Sequence, residues 1–429
     1  MEVNGKYGKA EIYSVKVEHE AISQVITLLN QKAFEGSKIR VMPDVHAGAG
    51  CVIGFTGKFT NNRVIPNIVG VDIGCGMFTA KIGKMEIDLE KFDEYVKAVI
   101  PMGSKRNNNV GRKKEIKDFM KKYVDISVLE DVCKKIGADF NDVLNSLGTL
   151  GGGNHFIEID KSSKTQEYYL IIHSGSRNFG KRVAEWHQKK AEKSLEKRRK
   201  MEKDWFDKEI FMAKQQNDLK RVEEIQSEYE KKKEIINVPR QLSYLEDTDA
   251  SLYIEDMKVA QRYAAANRDL MCERILKFFE DTDNKIIKAE KFQTIHNYIS
   301  EKDNIVRKGA ISAYKGEKVL IPLNMKDGCI IGIGKGKSDW NFSAPHGAGR
   351  LMSRTEAKLK LSMEEFEREM KNIYSTTVER GTLDESPMAY KPMNEILEIV
   401  GETIEIEDII KPVYNVKAVE EESGWNKKK

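Results

Sequence analysis

The stretch VGVDIGCGM, residues 69–77, places one carboxylate and one thiol on a turn made of glycine and small apolar residues. Asp72 and Cys75 are three positions apart, with Gly74 between them. Taken alone, this pattern is compatible with a turn-capping aspartate beside a buried cysteine, because a free cysteine behaves as a small hydrophobic residue. The remainder of the chain decides between that arrangement and a site that binds metal ions.

The histidines give this turn its chemical context. Two of the seven, His19 and His187, lie in polar segments where we expect solvated side chains. The other five lie in glycine-rich or polar loop signatures: His46 in PDVHAGAG, His155 in GGGNHFIEI, His173 in IIHSGSRNFG, His296 in TIHNYIS and His346 in SAPHGAGR. Imidazole, carboxylate and thiolate groups bind divalent metals, and a thiolate can bridge two ions. The pattern predicts a two-metal site with the ligands Asp72, Cys75, His155, His173 and His296.

Composition restricts the class of protein. The 429 residues are 40% hydrophobic and 33% charged, which is typical of a soluble globular protein. No apolar run approaches the roughly 18 residues of a membrane span, and the N-terminus lacks the pattern of a secretory signal. Five scattered cysteines without a CxxC pair indicate a reducing compartment, so we expect a cytoplasmic location. A net charge of +4 does not by itself establish a nucleic-acid partner.

The texture of the chain changes twice. Residues 1–180 alternate β-branched and glycine-rich stretches around a helical interlude at 87–147, and similar strands and glycines return after residue 285. Between them, residues 181–240 are dominated by Lys, Glu, Gln and Arg, with a thin apolar stripe of Val222, Ile225 and Tyr229. This pattern predicts a long helix or a helical pair, followed by an amphipathic helix over 241–280.

We therefore expect an α+β fold in which a single catalytic domain of mixed β-sheets flanked by helices spans residues 1–429. A charged helical arm is inserted at 185–238, and a polar tail occupies 419–429.

The motifs together resemble one known family. MPDVHAG, GVDIGCGM, GTLGGGNHFIEI, HSGSR, HNY, RKGAISA, HGAGRLMSRT and PMAYK occur in this order over residues 41–391 and are similar to those of the RtcB family of RNA-splicing ligases. The resemblance implies an enzyme of tRNA splicing, RNA repair or other RNA processing that depends on GTP and two Mn²⁺ ions. It would join RNA ending in a 3′-phosphate or a 2′,3′-cyclic phosphate to RNA with a 5′-hydroxyl.

The resemblance also implies roles for the metal ligands and the nucleophile. Cys75 would bridge the two manganese ions, with His155 and His173 completing one shell and Asp72 and His296 the other. His346 would attack the α-phosphorus of GTP to give a histidine–GMP intermediate. Asp44, in the sequence PDVH, is a candidate to orient His346 through a ring N–H, and the alternative for Asp44 is a turn cap.

For the nucleotide pocket, the Glu158 carboxylate can accept hydrogen bonds from guanine N1–H and N2–H₂, a pattern that adenine lacks. By resemblance, Phe156, Tyr390 and Lys417 would complete the pocket and Asn154 would hold a phosphate. The expected GTP- or GMP-binding residues are Asn154, His155, Phe156, Ile157, Glu158, His296, Asn297, Pro322, Leu323, Asn324, Met325, Cys329, His346, Gly347, Ala348, Gly349, Tyr390 and Lys417. Arg177, Arg268 and Arg350 are further candidates for phosphate contact.

Departures from the family pattern keep alternatives open. Residues 322–325 read PLNM where many members have Pro-Gly-Ser-Met, and Cys329 replaces a serine. A metal-dependent phosphodiesterase that opens cyclic phosphates without ligating therefore remains an alternative. A non-enzymatic RNA- or ribosome-binding factor built on the basic arm is another.

The arm itself is either a solvated insertion or a surface that grips RNA phosphates through Lys and Arg. The RNA substrate, the oligomeric state and any accessory activating protein are left open by the sequence.

Overall fold

The computed structural model describes residues 1–14, 17–59, 62–107, 112–283 and 289–419. Beyond Val419, the predicted polar tail lies outside the described residues. Within the described ranges, no helix has the length and apolar character needed to cross a membrane.

The strands within these ranges are β1 (Glu2–Asn4), β2 (Lys9–Ile12), β3 (Lys38–His46), β4 (Ile53–Lys58), β5 (Gly76–Gly83), β6 (Phe156–Ser162), β7 (Tyr168–Ser174), β8 (Glu290–Ile295), β9 (Asn297–Ile299), β10 (Ile305–Lys308), β11 (Ala310–Ser312), β12 (Lys318–Asn324), β13 (Gly328–Gly334), β14 (Ser343–Pro345) and β15 (Ile404–Lys417).

The α-helices within the same ranges are α1 (His19–Leu29), α2 (Pro66–Val69), α3 (Leu89–Val99), α4 (Arg112–Met120), α5 (Ile126–Ile136), α6 (Phe140–Asn145), α7 (Arg177–Gln215), α8 (Leu219–Ile236), α9 (Asp247–Asp283), α10 (Arg354–Lys360), α11 (Met363–Met370) and α12 (Met393–Val400). Short 3₁₀ turns occur at Lys32–Phe34, Arg240–Leu242, Ser338–Trp340, Arg380–Glu385 and Pro387–Ala389.

Two large sheets organise these elements. One has six strands in the order β1-β2-β3-β4-β10-β9, and the other has seven in the order β12-β13-β15-β6-β7-β5-β8. Strands β11 and β14 form a small ribbon. Helix α9 covers the seven-stranded sheet, where Met271 and Ile275 join Phe78 and Leu170 in one buried cluster. The α+β prediction is confirmed.

The register of the larger sheet gathers the predicted ligands. Gly76, the first residue of β5, pairs with Ser174 on β7 and with Ile295 on β8, while Phe156 on β6 pairs with His173. Because neighbouring strands here run antiparallel, the start of β5 and β6 and the end of β7 and β8 meet at the same edge of the sheet. Residues flanking those positions are therefore brought together although they are far apart in the sequence.

The charged segment forms a helical pair, as predicted. Helix α7 begins at Arg177, earlier than the expected start at 185, and α8 returns along it. The apolar stripe faces α7: Ile225 is fully buried, and Tyr229 stacks on Phe206 with 4.3 Å between ring centroids. Whether this arm is a separate functional unit stays a prediction.

The expectation for His19 is confirmed, since it is exposed at the start of α1, but the expectation for His187 is wrong. His187 is fully buried between α7 and α9, where its Nε2 lies 2.7 Å from the Asp256 carboxylate. Asp256 also accepts a bond from Lys135. Among its polar neighbours in sequence, Glu185 and Lys189 are exposed on the outer face of the helix, whereas Gln188 is itself buried.

Arg268 supports the turn that carries Asp72 and Cys75. Its buried guanidinium donates from Nη1 to the carbonyls of Gly74 and Ser174 at 2.8 and 2.7 Å, and from Nε to Gln293. The expected phosphate contact for Arg268 is therefore wrong, because the side chain is sealed beneath the turn. Gly74 itself has φ +69°, and a Cβ there would lie 2.9 Å from the Gln261 Cα, so the position requires glycine.

We expect Arg268→Met to lower the free energy of unfolding by about 2–4 kcal/mol, because it leaves two buried carbonyls without a donor. Urea denaturation at pH 7 measures this. The matched control is Arg262→Met on the exposed face of the same helix, for which we expect a change within about 0.5 kcal/mol. Equal effects of the two substitutions would contradict the structural role assigned to Arg268.

Candidate active site

A thiol and two imidazoles converge at the shared edge of the larger sheet. Cys75 Sγ lies 3.4 Å from His155 Nε2 and 3.3 Å from His173 Nε2. The other ring nitrogens, Nδ1, lie 3.0 Å from the Leu150 carbonyl and 3.1 Å from the Asn154 carbonyl. A carbonyl only accepts, so each Nδ1 must carry the proton, which leaves the Nε2 lone pairs directed at the thiol. This arrangement fits a metal ion.

Asp72 and His296 extend the cluster on different sides. Asp72 Oδ2 lies 3.4 Å from His155 Nε2, whereas the His296 ring lies 5.3 Å from the ring of His173. His296 is 4% exposed, and its Nδ1 has no hydrogen-bond partner among the described residues. Asp72 thus lies beside His155, whereas the His173 ring is 5.3 Å from the rings of both His155 and His296, so the division of the five donors between two ions stays a prediction.

Burial sets the protonation of these groups. It lowers the pKa of His173 and His296 well below the ordinary value, and neighbouring imidazoles add to the effect. Both rings are therefore neutral at pH 7, the form that binds metal. Burial and the adjacent Asp72 raise the pKa of the Cys75 thiol, so the sulfur keeps its proton unless a coordinating cation displaces it.

His346 is fixed by Asp44, as predicted. The ring Nδ1 lies 2.6 Å from Asp44 Oδ2, and the backbone N–H of His346 donates to the same oxygen at 3.0 Å. Asp44 is completely buried within β3, while the His346 side chain is 19% exposed. With Nδ1 held by the carboxylate, Nε2 is free as a nucleophile. Asp44 also accepts the backbone N–H of His346, which lies 302 positions away, so its carboxylate contacts His346 rather than capping a local turn.

A cavity of about 250 Å³ contains the exposed face of His346. Most of the expected nucleotide-binding residues line it: Asn154, Phe156, Glu158, His296, Asn297, Pro322, Leu323, Asn324, Met325, Gly347, Ala348, Gly349, Tyr390 and Lys417, together with Asp72, His173 and Arg350. His155 belongs to the metal-ligand cluster beside the cavity. Like His155, two further expected residues do not line it: Ile157 is fully buried in the core beneath α9, and Cys329 is fully buried behind Asp160.

Glu385 is a central residue that the sequence analysis missed. Its carboxylate accepts from Tyr390 Oη at 2.7 Å and pairs with Lys417 at 3.1 Å and with Arg354 at 2.8 Å. Burial opposes ionisation, but Lys417 and then Arg354 outweigh it and hold the pKa of Glu385 at about 2. Glu385 stands five positions before Tyr390, just upstream of the motif PMAYK, and Arg354 lies inside the motif HGAGRLMSRT. Their closeness to these motifs is the sequence signal that could have identified both residues. His46 and Gly309 also line the cavity.

Beneath the cavity, Glu158 lies next to a second acid, Asp160. Glu158 and Asp160 lie on the same face of β6, as alternate residues of a strand do, and Cys329 lies against Asp160. Asn415 donates to Glu158 at 2.6 Å. Asp160 is fully buried, and its two oxygens have no N–H or O–H donor within the described ranges.

Burial therefore favours the protonated form of this acid pair. Burial raises the pKa of Glu158 to about 7, against the effects of Asn415 and Lys417. Burial and the Glu158 charge raise the pKa of Asp160 further above its ordinary range. Because Asn415 and Lys417 stabilise only the Glu158 anion, we assign the proton to Asp160.

Comparison with known proteins identifies the family of this chain. The chain matches the family model described as tRNA-splicing ligase RtcB over residues 28–419. RNA-splicing ligase RtcB1 of Escherichia coli strain ATCC 25922 is 29% identical over 425 residues, which cover 94% of this chain and 95% of that protein. The tRNA-splicing ligase RtcB of Nanoarchaeum equitans is 26% identical over 441 residues, with 84% of each chain covered.

The fold, the cavity and these matches place the chain in the class of RNA-splicing ligases. It belongs to the RtcB family, and the membership predicted from the motifs is confirmed.

The acid pair predicts a pH-dependent stability. An Asp160 pKa above the unfolded value of 3.8 means that unfolding releases a proton once the pH exceeds about 4. Folding stability is thus fully present below the unfolded pKa. It falls as the pH rises toward the folded pKa, by up to about 1.4 kcal/mol per pH unit.

We expect the melting temperature of Asp160→Asn, expressed as its difference from that of the wild type, to be higher at pH 8 than at pH 4, because the amide cannot ionise. Thermal unfolding across this range measures it. Asp131→Asn, at a side chain that is 77% exposed, is the control and should show no such trend. A pH-independent difference for Asp160→Asn would refute the shared proton.

Proposed function

We propose that this protein is a GTP- and Mn²⁺-dependent RNA ligase acting in RNA splicing or repair. It joins RNA 3′-phosphate or 2′,3′-cyclic phosphate ends to 5′-hydroxyl ends. The observation that carries the proposal is His346, whose Nδ1 is held 2.6 Å from Asp44 while its exposed face shares one cavity with Asp72, His173 and His296. The names of the relatives support RNA as the substrate class. The compartment we propose is the cytoplasm.

The metal-ligand cluster would hold two ions. Cys75 would be shared by both ions, with Asp72 and the adjacent His155 on one and His173 and His296 on the other, so that each pair with the thiolate forms a ligand set for one ion. This donor set suits transition-metal ions in general, and the choice of manganese rests on the family resemblance. When bound, the ions supply positive charge for the phosphate oxygens.

In the first step, His346 Nε2 attacks the α-phosphorus of GTP. The nitrogen–phosphorus bond forms as the bond to pyrophosphate breaks. Asp44 keeps the proton on Nδ1 and stabilises the positive charge that the ring gains. Glu158 selects guanine by accepting hydrogen bonds from N1–H and N2–H₂, so its carboxylate must be ionised. Because Asp160 below it is protonated, the buried pair then carries a single negative charge.

The second step transfers GMP to RNA. An oxygen of the RNA 3′-phosphate attacks the phosphorus held by His346, and the ring leaves as a neutral imidazole. The 5′-hydroxyl of the other strand then attacks the RNA phosphate, and GMP leaves. A free phosphate monoester has no good leaving group, whereas the capped phosphate does. A cyclic end first adds water, which breaks its bond to the 2′-oxygen and leaves a 3′-phosphate.

One alternative keeps support from the structure. Leu323 and Asn324, which replace the usual Gly and Ser, line the cavity, so a phosphodiesterase that does not ligate remains the second candidate. The altered Cys329 does not reach the cavity. A binding factor built on the arm would make no use of the His346–Asp44 pair.

The covalent adduct decides between these functions. With α-³²P-GTP and Mn²⁺ we expect an acid-labile label on the wild-type protein and none on His346→Ala. Asp44→Asn should slow labelling by about 10²–10⁴-fold, since the amide no longer fixes the ring tautomer. His19→Ala, at an exposed histidine, is the control. An unlabelled wild type, or a label that survives His346→Ala, would defeat the ligase proposal.

Metal stoichiometry tests the ligand assignment. Equilibrium dialysis against Mn²⁺ should show loss of both ions in Cys75→Ala, because the bridging sulfur is removed. Asp72→Ala and His296→Ala should each lose mainly one ion, and the double variant both. Cys133→Ala, at a buried cysteine distant from the cavity in the helical core, should retain both ions. Full occupancy in Cys75→Ala would overturn the two-ion arrangement.

A further inference from the structure

A second, larger cavity of about 900 Å³ lies beside the nucleotide cavity. We call it the basic groove. Its walls are the loop 100–105, the segment 376–381 and the end of β15, and five cationic side chains line it: Lys97, Lys105, Lys358, Arg380 and Lys417. Among the described residues that line the groove, none is Asp or Glu. In contrast, the nucleotide cavity balances its cations against Asp72, Glu158 and Glu385.

Two of these cations are not neutralised. Lys97 pairs with Asp93, Lys358 with Asp384 and Lys417 with Glu385. Lys105 and Arg380 are exposed, and their side chains make no ion pair or hydrogen bond within the part of the chain described. For a chain with a net charge of only +4, this is a marked local excess of positive charge.

The groove adjoins the active site. Lys417 lines both cavities. On α10, Arg354 lines the nucleotide cavity and Lys358, one helical turn later, lines the groove. A chain lying in the groove would thus pass close to the nucleotide cavity, which contains His346.

We propose that the basic groove binds the phosphodiester backbone of one of the two RNA strands to be joined, with Lys105 and Arg380 contacting its phosphates. This inference rests on the proposed function. A guanidinium matches a phosphate through two parallel bonds, and an unpaired lysine adds a point charge. Pro101 and Met102 add a small apolar surface to the wall, and because none of the described residues that line the groove is aromatic, we expect the contacts to be mainly with the RNA backbone.

The test is the salt dependence of RNA binding. Fluorescence anisotropy would measure the affinity for a short labelled single-stranded RNA as the salt concentration varies. We expect the double variant Lys105→Gln/Arg380→Gln to bind more weakly. The slope of log affinity against log salt concentration is negative and should become shallower by about 1.4, because each of the two phosphates that are no longer neutralised accounts for about 0.7. The exposed Lys315, which lines neither cavity, provides the control Lys315→Gln with an unchanged slope.

A charge-preserving variant guards against misfolding. Lys105→Arg/Arg380→Lys should keep the wild-type slope, since the phosphates still meet two cations.

Two RNAs distinguish the strands: one ends in a 3′-phosphate and has its 5′ end phosphorylated, and the other has both ends as hydroxyls. A reduced slope with the first alone assigns the groove to the 3′-phosphate strand, and with the second alone to the 5′-hydroxyl strand. A reduced slope with both also supports the groove.

An unchanged slope with both RNAs overturns the inference. The labelling of wild-type protein with GTP separates this failure from that of the proposed function, because adduct formation requires no RNA. A labelled protein with an unchanged slope defeats the groove alone, and an unlabelled protein defeats the ligase whatever the slope.

Discussion

The burial of imidazole and thiol side chains at one edge of the larger sheet is the constraint on which the rest of this structure depends. Buried imidazoles and a thiol are costly unless each polar atom has a partner or a ligand. The carbonyls of Leu150 and Asn154 occupy one nitrogen of His155 and His173, which leaves the other for a metal. Arg268 donates hydrogen bonds to the carbonyls of Gly74 and Ser174 beneath the turn. The interior is therefore built around groups that are incomplete without a cation.

Sheet register converts this chemistry into geometry. Four adjacent strands begin or end at one edge, and each brings one donor to the same place. Gly175 shows how closely the parts approach, because a Cβ at this position would lie 2.3 Å from Asp72 Oδ1. The second sheet contributes Asp44, which holds His346 with its ring 4.8 Å from that of His296, the residue that follows β8 of the first sheet.

The sequence predicts the fold class, the helical character of the charged segment and the five residues proposed as metal ligands, because glycine turns and clustered histidines are local signals. It does not predict which donors pair, since that follows from the register of β5, β7 and β8. Arg268 and His187 have polar neighbours in sequence, and only the packing of α9 shows that they are buried. Glu385 carries no local signature either, since its importance comes from Lys417 and Arg354, which lie far from it along the chain or on another helix.

The two bonds that Asp44 makes to His346 have a kinetic consequence. One carboxylate oxygen holds both the ring and the backbone of the same residue, so the imidazole cannot turn without breaking a bond. In the proposed reaction, the nucleophile is stationary while the leaving and entering groups exchange around it. Pyrophosphate must then vacate the space that the RNA phosphate enters, so the two half-reactions are separated in time and follow a ping-pong order.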